Sequence, residues 1–78
     1  MTKENAIEKL KLLISESTNN QGVALYNSTI TILENNPTKE TLKNLYRNYS
    51  GYLARGEFSK LEYDTLLEII KFIDCESR

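Results

Sequence analysis

Residues 56–63, with the sequence GEFSKLEY, contain the strongest structural signal in the chain. Ser59 and Glu62 have the spacing of a capping box, in which each side chain accepts a hydrogen bond from a backbone N–H at the start of a helix. Phe58 and Tyr63 occupy the two positions of a hydrophobic staple around that box. The glycine that opens the stretch is typical of the end of a preceding helix. The stretch therefore predicts a helical hairpin whose second helix begins directly after Ser59.

The first helix of this hairpin is predicted over residues 37–55. Asn36 and Pro37 form a favoured start, because Asn caps a helix well and Pro at the first position lacks only an N–H that would have no partner. Apolar residues recur there at helical spacing, at Leu42, Leu45, Tyr46, Tyr49, Tyr52 and Leu53. Gly56 ends this helix. The next helix is predicted over residues 60–74, with an inner face of Tyr63, Leu66, Leu67, Ile70 and Ile73.

Two further amphipathic helices are predicted upstream of the hairpin. The first covers residues 3–17 with Thr2 as its cap, and Leu12 falls outside its apolar face of Ala6, Ile7, Leu10, Leu13 and Ile14. The polar run at residues 17–22 predicts a loop. The next helix covers residues 23–35, with a wide stripe of Val23, Tyr26, Ile30 and Leu33 that Leu25 and Ile32 broaden. Its β-branched run at residues 29–32 leaves a strand as the alternative.

These patterns predict an all-α fold, an antiparallel up-down four-helix bundle that residues 1–78 form as a single domain. A chain of 78 residues supplies one small core, with little room for a sizeable ligand pocket. The broad face of the second helix makes a homodimer as reasonable as a monomer.

The composition points away from catalysis. The chain has no histidine and a single cysteine, Cys75, so it offers neither a Cys/His nucleophile nor a zinc ligand set nor an internal disulfide. No glycine-rich phosphate loop is present. The carboxylates at residues 57, 62, 64 and 68 fall on or near an outward helical face, which is typical of a solvated surface. We therefore expect no enzyme activity, no cofactor and no metal.

The charge balance also bears on partners and location. The net charge is -1, and the helix predicted at residues 60–74 is itself negative, so DNA would repel it. The sequence therefore predicts no nucleic-acid partner. It contains neither an apolar run long enough to span a bilayer nor the pattern of a signal peptide, so we expect a cytoplasmic protein.

Basic residues recur every four positions along the helix at residues 37–55. Lys39, Lys43, Arg47 and Arg55, with Gly51 between the last two, should form a slanted ridge opposite the Leu42/Leu45/Tyr49 stripe. One interpretation is a docking surface for an acidic partner or for phospholipid headgroups. The other is a solvated face that balances the acidic helix after it.

Four of the five tyrosines lie in the hairpin. Their positions on the inner stripes favour a packed core. Tyr52 and Tyr63, near the turn, could also present their hydroxyls to a partner at the rim, because tyrosine combines apolar area with a polar group.

The hairpin also resembles a known family. Residues 37–49 (PTKETLKNLYRNY) and 56–70 (GEFSKLEYDTLLEII) are similar to the second half of the pediocin-like bacteriocin immunity proteins. The resemblance implies a small cytosolic helical bundle of Gram-positive bacteria that performs no chemistry. It implies contact, at the inner face of the membrane, with the sugar-uptake permease that the bacteriocin uses as its receptor. The alternative is a small phage or mobile-element protein that binds and masks a host protein.

Overall fold

The computed structural model describes residues 1–16 and 20–78, with only the backbone given for residues 20 and 21. It contains four helices: α1 (Lys3–Glu16), α2 (Asn20–Glu34), α3 (Lys39–Arg55) and α4 (Lys60–Glu76). The described residues include no strand. The predicted all-α class with four helices is therefore confirmed, and the strand alternative for residues 29–32 is wrong.

The chain divides into two compact units, Met1–Pro37 and Thr38–Arg78. In the first unit α1 packs on α2, and in the second α3 packs on α4. We call these units the first hairpin and the second hairpin and describe each by itself.

In the first hairpin, α1 begins as the sequence predicts. The Oγ1 atom of Thr2 accepts a hydrogen bond from the N–H of Asn5 at 3.2 Å, so Thr2 satisfies one of the free donors at the helix start. Leu12 is exposed, in agreement with its place outside the apolar face. The core of this hairpin consists of Ala6, Leu10 and Leu13 from α1 with Tyr26, Thr29, Ile30 and Leu33 from α2.

Helix α2 begins earlier than predicted. It starts at Asn20, so the predicted loop is wrong for residues 20–22, while residues 17–19 lie outside the described part of the chain. Gly22, which the sequence placed in the loop, is a buried residue of the helix. A polar run signals a loop only where it also stays at the surface, and burial of one of its members here favours continued helix.

The β-branched run of α2 is helical, and its two threonine hydroxyl groups bond within the helix. The Oγ1 of Thr29 donates to the carbonyl oxygen of Leu25 at 2.8 Å, and the Oγ1 of Thr31 donates to that of Asn27 at 3.2 Å. Such bonds to a carbonyl one turn back satisfy the hydroxyl without breaking the helix.

In the second hairpin, the predicted start of α3 is wrong by two residues. The N-cap is Thr38, whose Oγ1 accepts a hydrogen bond from the N–H of Thr41 at 3.2 Å. Asn36 has a φ of 51°, in the left-handed region that asparagine tolerates better than most residues. Asn36 and Pro37 therefore belong to the connection between α2 and α3.

The end of α3 and the start of α4 lie where the sequence predicts them. The N–H of Gly56 donates to the carbonyl oxygen of Tyr52 at 3.0 Å and ends α3. Ser59 is the N-cap of α4, with its Oγ accepting from the N–H of Glu62 at 3.2 Å. At the other end, α4 continues to Glu76, two residues beyond the predicted boundary at residue 74.

The inner face of the second hairpin is only partly the predicted one. Leu42, Leu45 and Tyr49 of α3 are buried as expected, against the α4 residues Leu66, Ile69, Phe72 and Ile73. Ile69 and Phe72 were not predicted to face inward. Tyr46, Tyr63 and Leu67 were, yet they are 37%, 42% and 42% exposed. The apolar sector of α4 is wider than the face that one packed helix covers, so its outer edge stays in solvent.

Candidate docking surface

A trough runs along the seam between α3 and α4. Two adjoining grooves share Tyr46 of α3 and Asp74 of α4. The first, the basic end of the trough, is also lined by Lys39, Lys43, Arg47, Ser77 and Arg78. The second, its apolar end, is also lined by Leu67, Glu68, Ile70 and Lys71. All of these residues belong to the second hairpin.

Three cations at the basic end are available to a ligand. Lys39, Lys43 and Arg47 are all exposed. Among the described residues, none of the three takes part in a hydrogen bond or an ion pair. Because they repeat every four residues along one helix, neighbouring charges are close enough to act on the same ligand.

The fourth cation at this end already has a partner. The Nη2 atom of Arg78 lies 2.8 Å from Oδ2 of Asp74, one helical turn earlier. The hydrogen bond that the Arg78 guanidinium donates to this carboxylate raises the pKa of Arg78 above its ordinary value. Both side chains are solvent-exposed, so the pair contributes little to stability. Its consequence is electrostatic: Arg78 balances Asp74, and the other three cations remain uncompensated within the groove.

The apolar side chains at the apolar end are ones that the sequence had assigned to the core. Tyr46 and Leu67 stand at the surface, and Ile70 is half-buried. Tyrosine and leucine side chains that share one rim offer a ligand an aromatic ring beside an aliphatic contact. The missed signal was the width of the α4 stripe, which includes apolar residues on both sides of the buried row.

The predicted basic ridge divides into two parts. Lys39, Lys43 and Arg47 are exposed, as predicted, and their side chains line a groove together with α4 residues. Arg55 lies about 24 Å from Lys39 along the helix axis, because sixteen residues separate them at about 1.5 Å each. It lies beside Gly51, where an added Cβ would be 3.2 Å from the Arg55 Nη2 atom.

The two tyrosines predicted to contact a partner lie outside the trough. The ring of Tyr52 meets the ring of Phe58 edge to face, with centroids 5.1 Å apart and planes at 67°. Its hydroxyl oxygen is buried, which favours the core interpretation for this residue. Tyr63 is exposed in the first turn of α4. A partner contact through Tyr63 stays a prediction.

The remaining candidate chemistry is sparse. No group of three or more His, Cys, Asp or Glu side chains in residues 1–16 and 20–78 could hold a metal ion. The Cys75 thiol is free and exposed. Of the predicted acidic cluster, Glu57, Asp64 and Glu68 are exposed and Glu62 is half-buried. No helix in the described part of the chain combines the length and the apolar character needed to cross a bilayer.

Comparisons of the chain with protein-family models, with curated proteins and with solved structures give no match. Function is therefore inferred from the chain's own side chains, above all those that line the trough.

Proposed function

We propose that this protein is an immunity protein that protects its cell from a pediocin-like bacteriocin by contact and without catalysis. In this proposal the protein lies in the cytoplasm and binds, at the inner face of the membrane, the permease complex that the bacteriocin uses as its receptor. The resemblance that suggests this role covers residues 37–49 and 56–70, which correspond to most of the second hairpin.

The observation that carries a contact role is the trough of the second hairpin. Lys39, Lys43 and Arg47 lie next to the exposed side chains of Tyr46 and Leu67. Surfaces that bind proteins combine aromatic and aliphatic anchors with a polar or charged rim. A protein that works by occupying a receptor complex needs such a surface and no reacting group.

The experiment is a protection assay. The chain is expressed in a sensitive Gram-positive strain, which is then challenged with a panel of pediocin-like bacteriocins, and the inhibitory concentration of each is measured. We expect a raised inhibitory concentration for one or a few of them. Unchanged sensitivity to the whole panel, with the protein shown by circular dichroism and immunoblotting to be helical and abundant, would contradict the proposal and favour the masking protein of a mobile element.

A matched pair of variants tests whether the trough is the working surface. Lys43→Gln combined with Arg47→Gln removes two cations from the trough. Lys60→Glu produces the same change in net charge at an exposed position at the start of α4, away from the trough. We expect the double variant to lose protection and Lys60→Glu to retain it. Equal loss in both would show that overall charge, and not the trough, determines protection.

A further inference from the structure

We infer that the trough binds an acidic, amphipathic helical segment of a partner protein. Carboxylates of that segment would meet Lys39, Lys43 and Arg47, and its apolar side chains would lie against Tyr46 and Leu67. The inference rests on the proposed contact function and specifies the chemistry of the partner.

The basic end and the apolar end of the trough adjoin each other, which is the first argument for a single bound segment. Tyr46 from α3 and Asp74 from α4 line both grooves, so the cations and the apolar side chains adjoin the same two residues. A single segment lying along the seam therefore contacts both ends at once. It would be acidic in one half and apolar in the other.

Charge complementarity carries the second step. Because Asp74 is already paired with Arg78, the charge of Lys39, Lys43 and Arg47 is not neutralised inside the groove. A negatively charged ligand is attracted to these three cations, which stabilises the complex. The same attraction raises the association rate of the two proteins.

The spacing of the cations favours a helix over an extended strand as the ligand. Successive members of Lys39, Lys43 and Arg47 rise by about 6 Å along α3, since four residues rise by about 1.5 Å each. Carboxylates four residues apart on a partner helix have the same rise. In a strand the alternate side chains on one face are about 6.6–6.8 Å apart and drift out of step.

The shape and the residues of the apolar end favour a protein over a lipid bilayer. The apolar contacts line a trough between two helices, and a flat headgroup surface cannot follow such a depression as a single segment can. This end is lined by the acidic Glu68 and Asp74 as well as the basic Lys71, so it lacks the cluster of cations that attracts anionic lipid.

The test uses a fluorescein-labelled synthetic helical peptide with Glu at three successive i, i+4 positions in one half and a Leu stripe in the other. A second peptide has Gln in place of every Glu. Binding to the full chain is measured by fluorescence anisotropy at low and at moderate salt, and the contact residues by NMR amide shifts. We expect shifts concentrated at Lys43, Tyr46 and Leu67, and affinity that falls as salt rises.

The variants make the expectation quantitative. Lys43→Gln with Arg47→Gln should weaken binding of the Glu peptide about tenfold, which corresponds to about 1.4 kcal/mol. Tyr46→Ala should weaken the Glu and the Gln peptide by a similar factor, because it removes an apolar contact. Lys60→Glu should leave the affinity for both peptides unchanged.

Four results would overturn the inference. They are absence of Glu-peptide binding at low salt, equal affinity for the Gln peptide, equal weakening by Lys60→Glu, and a trough that a second copy of the chain already covers in sedimentation and NMR experiments. Vesicles of phosphatidylglycerol that bind the chain with the same variant dependence, while the peptide does not, would assign the trough to lipid.

The protection assay separates this inference from the proposed function. Protection by a chain that does not bind the Glu peptide leaves the immunity role standing and removes the acidic segment. Peptide binding by a chain that protects against no bacteriocin would support the acidic segment and contradict the immunity role, and the trough would bind a different partner protein.

Discussion

The two hairpins have similar lengths and different surfaces. The first, Met1–Pro37, carries three of the ten basic and four of the eleven acidic residues, and one of the five tyrosines. The second, Thr38–Arg78, carries the rest. The second also exposes Tyr46, Leu61, Tyr63 and Leu67, whereas the first exposes only Met1 and Leu12 among its large apolar residues with described side chains.

This difference indicates that the second hairpin is the better candidate for binding a partner. Both hairpins contain a row of buried apolar side chains. Only the second also exposes tyrosine side chains in its described part, and Tyr46 among them lines a groove with Lys39, Lys43 and Arg47. An excess of interaction-prone side chains over structural requirement is a reason to look for function there.

The largest expected effect contrasts two neighbouring leucines of α4. Leu66 is fully buried, whereas Leu67 is 42% exposed. Leu66→Ala should lower the free energy of unfolding by about 2–5 kcal/mol because it leaves a cavity. Leu67→Ala should change it by about 0.5 kcal/mol, as is usual at the surface. Denaturant titrations followed by circular dichroism give both values, and Leu10→Ala provides the buried counterpart in the first hairpin. Similar losses for Leu66→Ala and Leu67→Ala would show that the trough is part of the core.

A smaller effect is expected at the turn of the second hairpin. Gly56 has an extended backbone, φ −92° and ψ 158°, which any residue can adopt. A Cβ added there would collide with the Phe58 ring, at 2.8 Å from its Cε2 atom. Gly56→Ala should therefore cost about 1–3 kcal/mol through overpacking.

The collision at Gly56 has its own control. In the Phe58→Ala background the ring is gone, so Gly56→Ala should cost much less than it does in the natural chain. This non-additivity is the mark of a direct contact. Thermal or urea unfolding measures the loss of stability in both backgrounds. An equal loss would show that the backbone conformation at Gly56, and not the Phe58 ring, requires glycine.

The smallest effects concern the helix caps and compare the hairpins directly. Thr38→Ala and Ser59→Ala should each cost about 1 kcal/mol, because each removes the acceptor for one N–H at a helix start. Thr2→Ala removes a bond of the same length at the start of α1 in the first hairpin and should cost a similar amount. Urea midpoints measure all three. An unchanged midpoint for Thr38→Ala would restore Asn36 as the cap of α3.

The sequence was most informative where a side chain bonds to a backbone group close by. Ser59 could be identified as a cap because its bond to the N–H of Glu62 spans only three residues. The start of α3 was predicted two residues too early, although its cap is also a local bond. Asn36-Pro37 and Thr38 both have cap-forming side chains or favoured positions, and the left-handed φ of Asn36, which decides between them, leaves no trace in the sequence.

The trough was only half predictable. The basic ridge followed from the four-residue spacing of Lys39, Lys43 and Arg47. The positions of Tyr46 and Leu67 did not follow, because periodicity locates an apolar sector and not which edge of it a neighbouring helix covers. That choice depends on the rotation of α3 and α4 about their axes, which is set by packing at Tyr49, Leu66 and Ile69.

The helical conformation of the segment around Thr29 and Thr31 has a consequence for aggregation of the protein. Residues 23–33 contain no charge and no proline, and residues 28–33 (STITIL) have the β-rich composition of segments that stack into cross-β fibrils. In the folded chain these residues are helical, and Thr29, Ile30 and Leu33 are buried. When a copy of the chain unfolds, residues 28–33 are available to pair with the same segment of another copy. Glu34 is the nearest charged residue downstream that opposes this pairing. Folding of the first hairpin therefore opposes aggregation of the whole chain, including the second hairpin with its candidate docking surface.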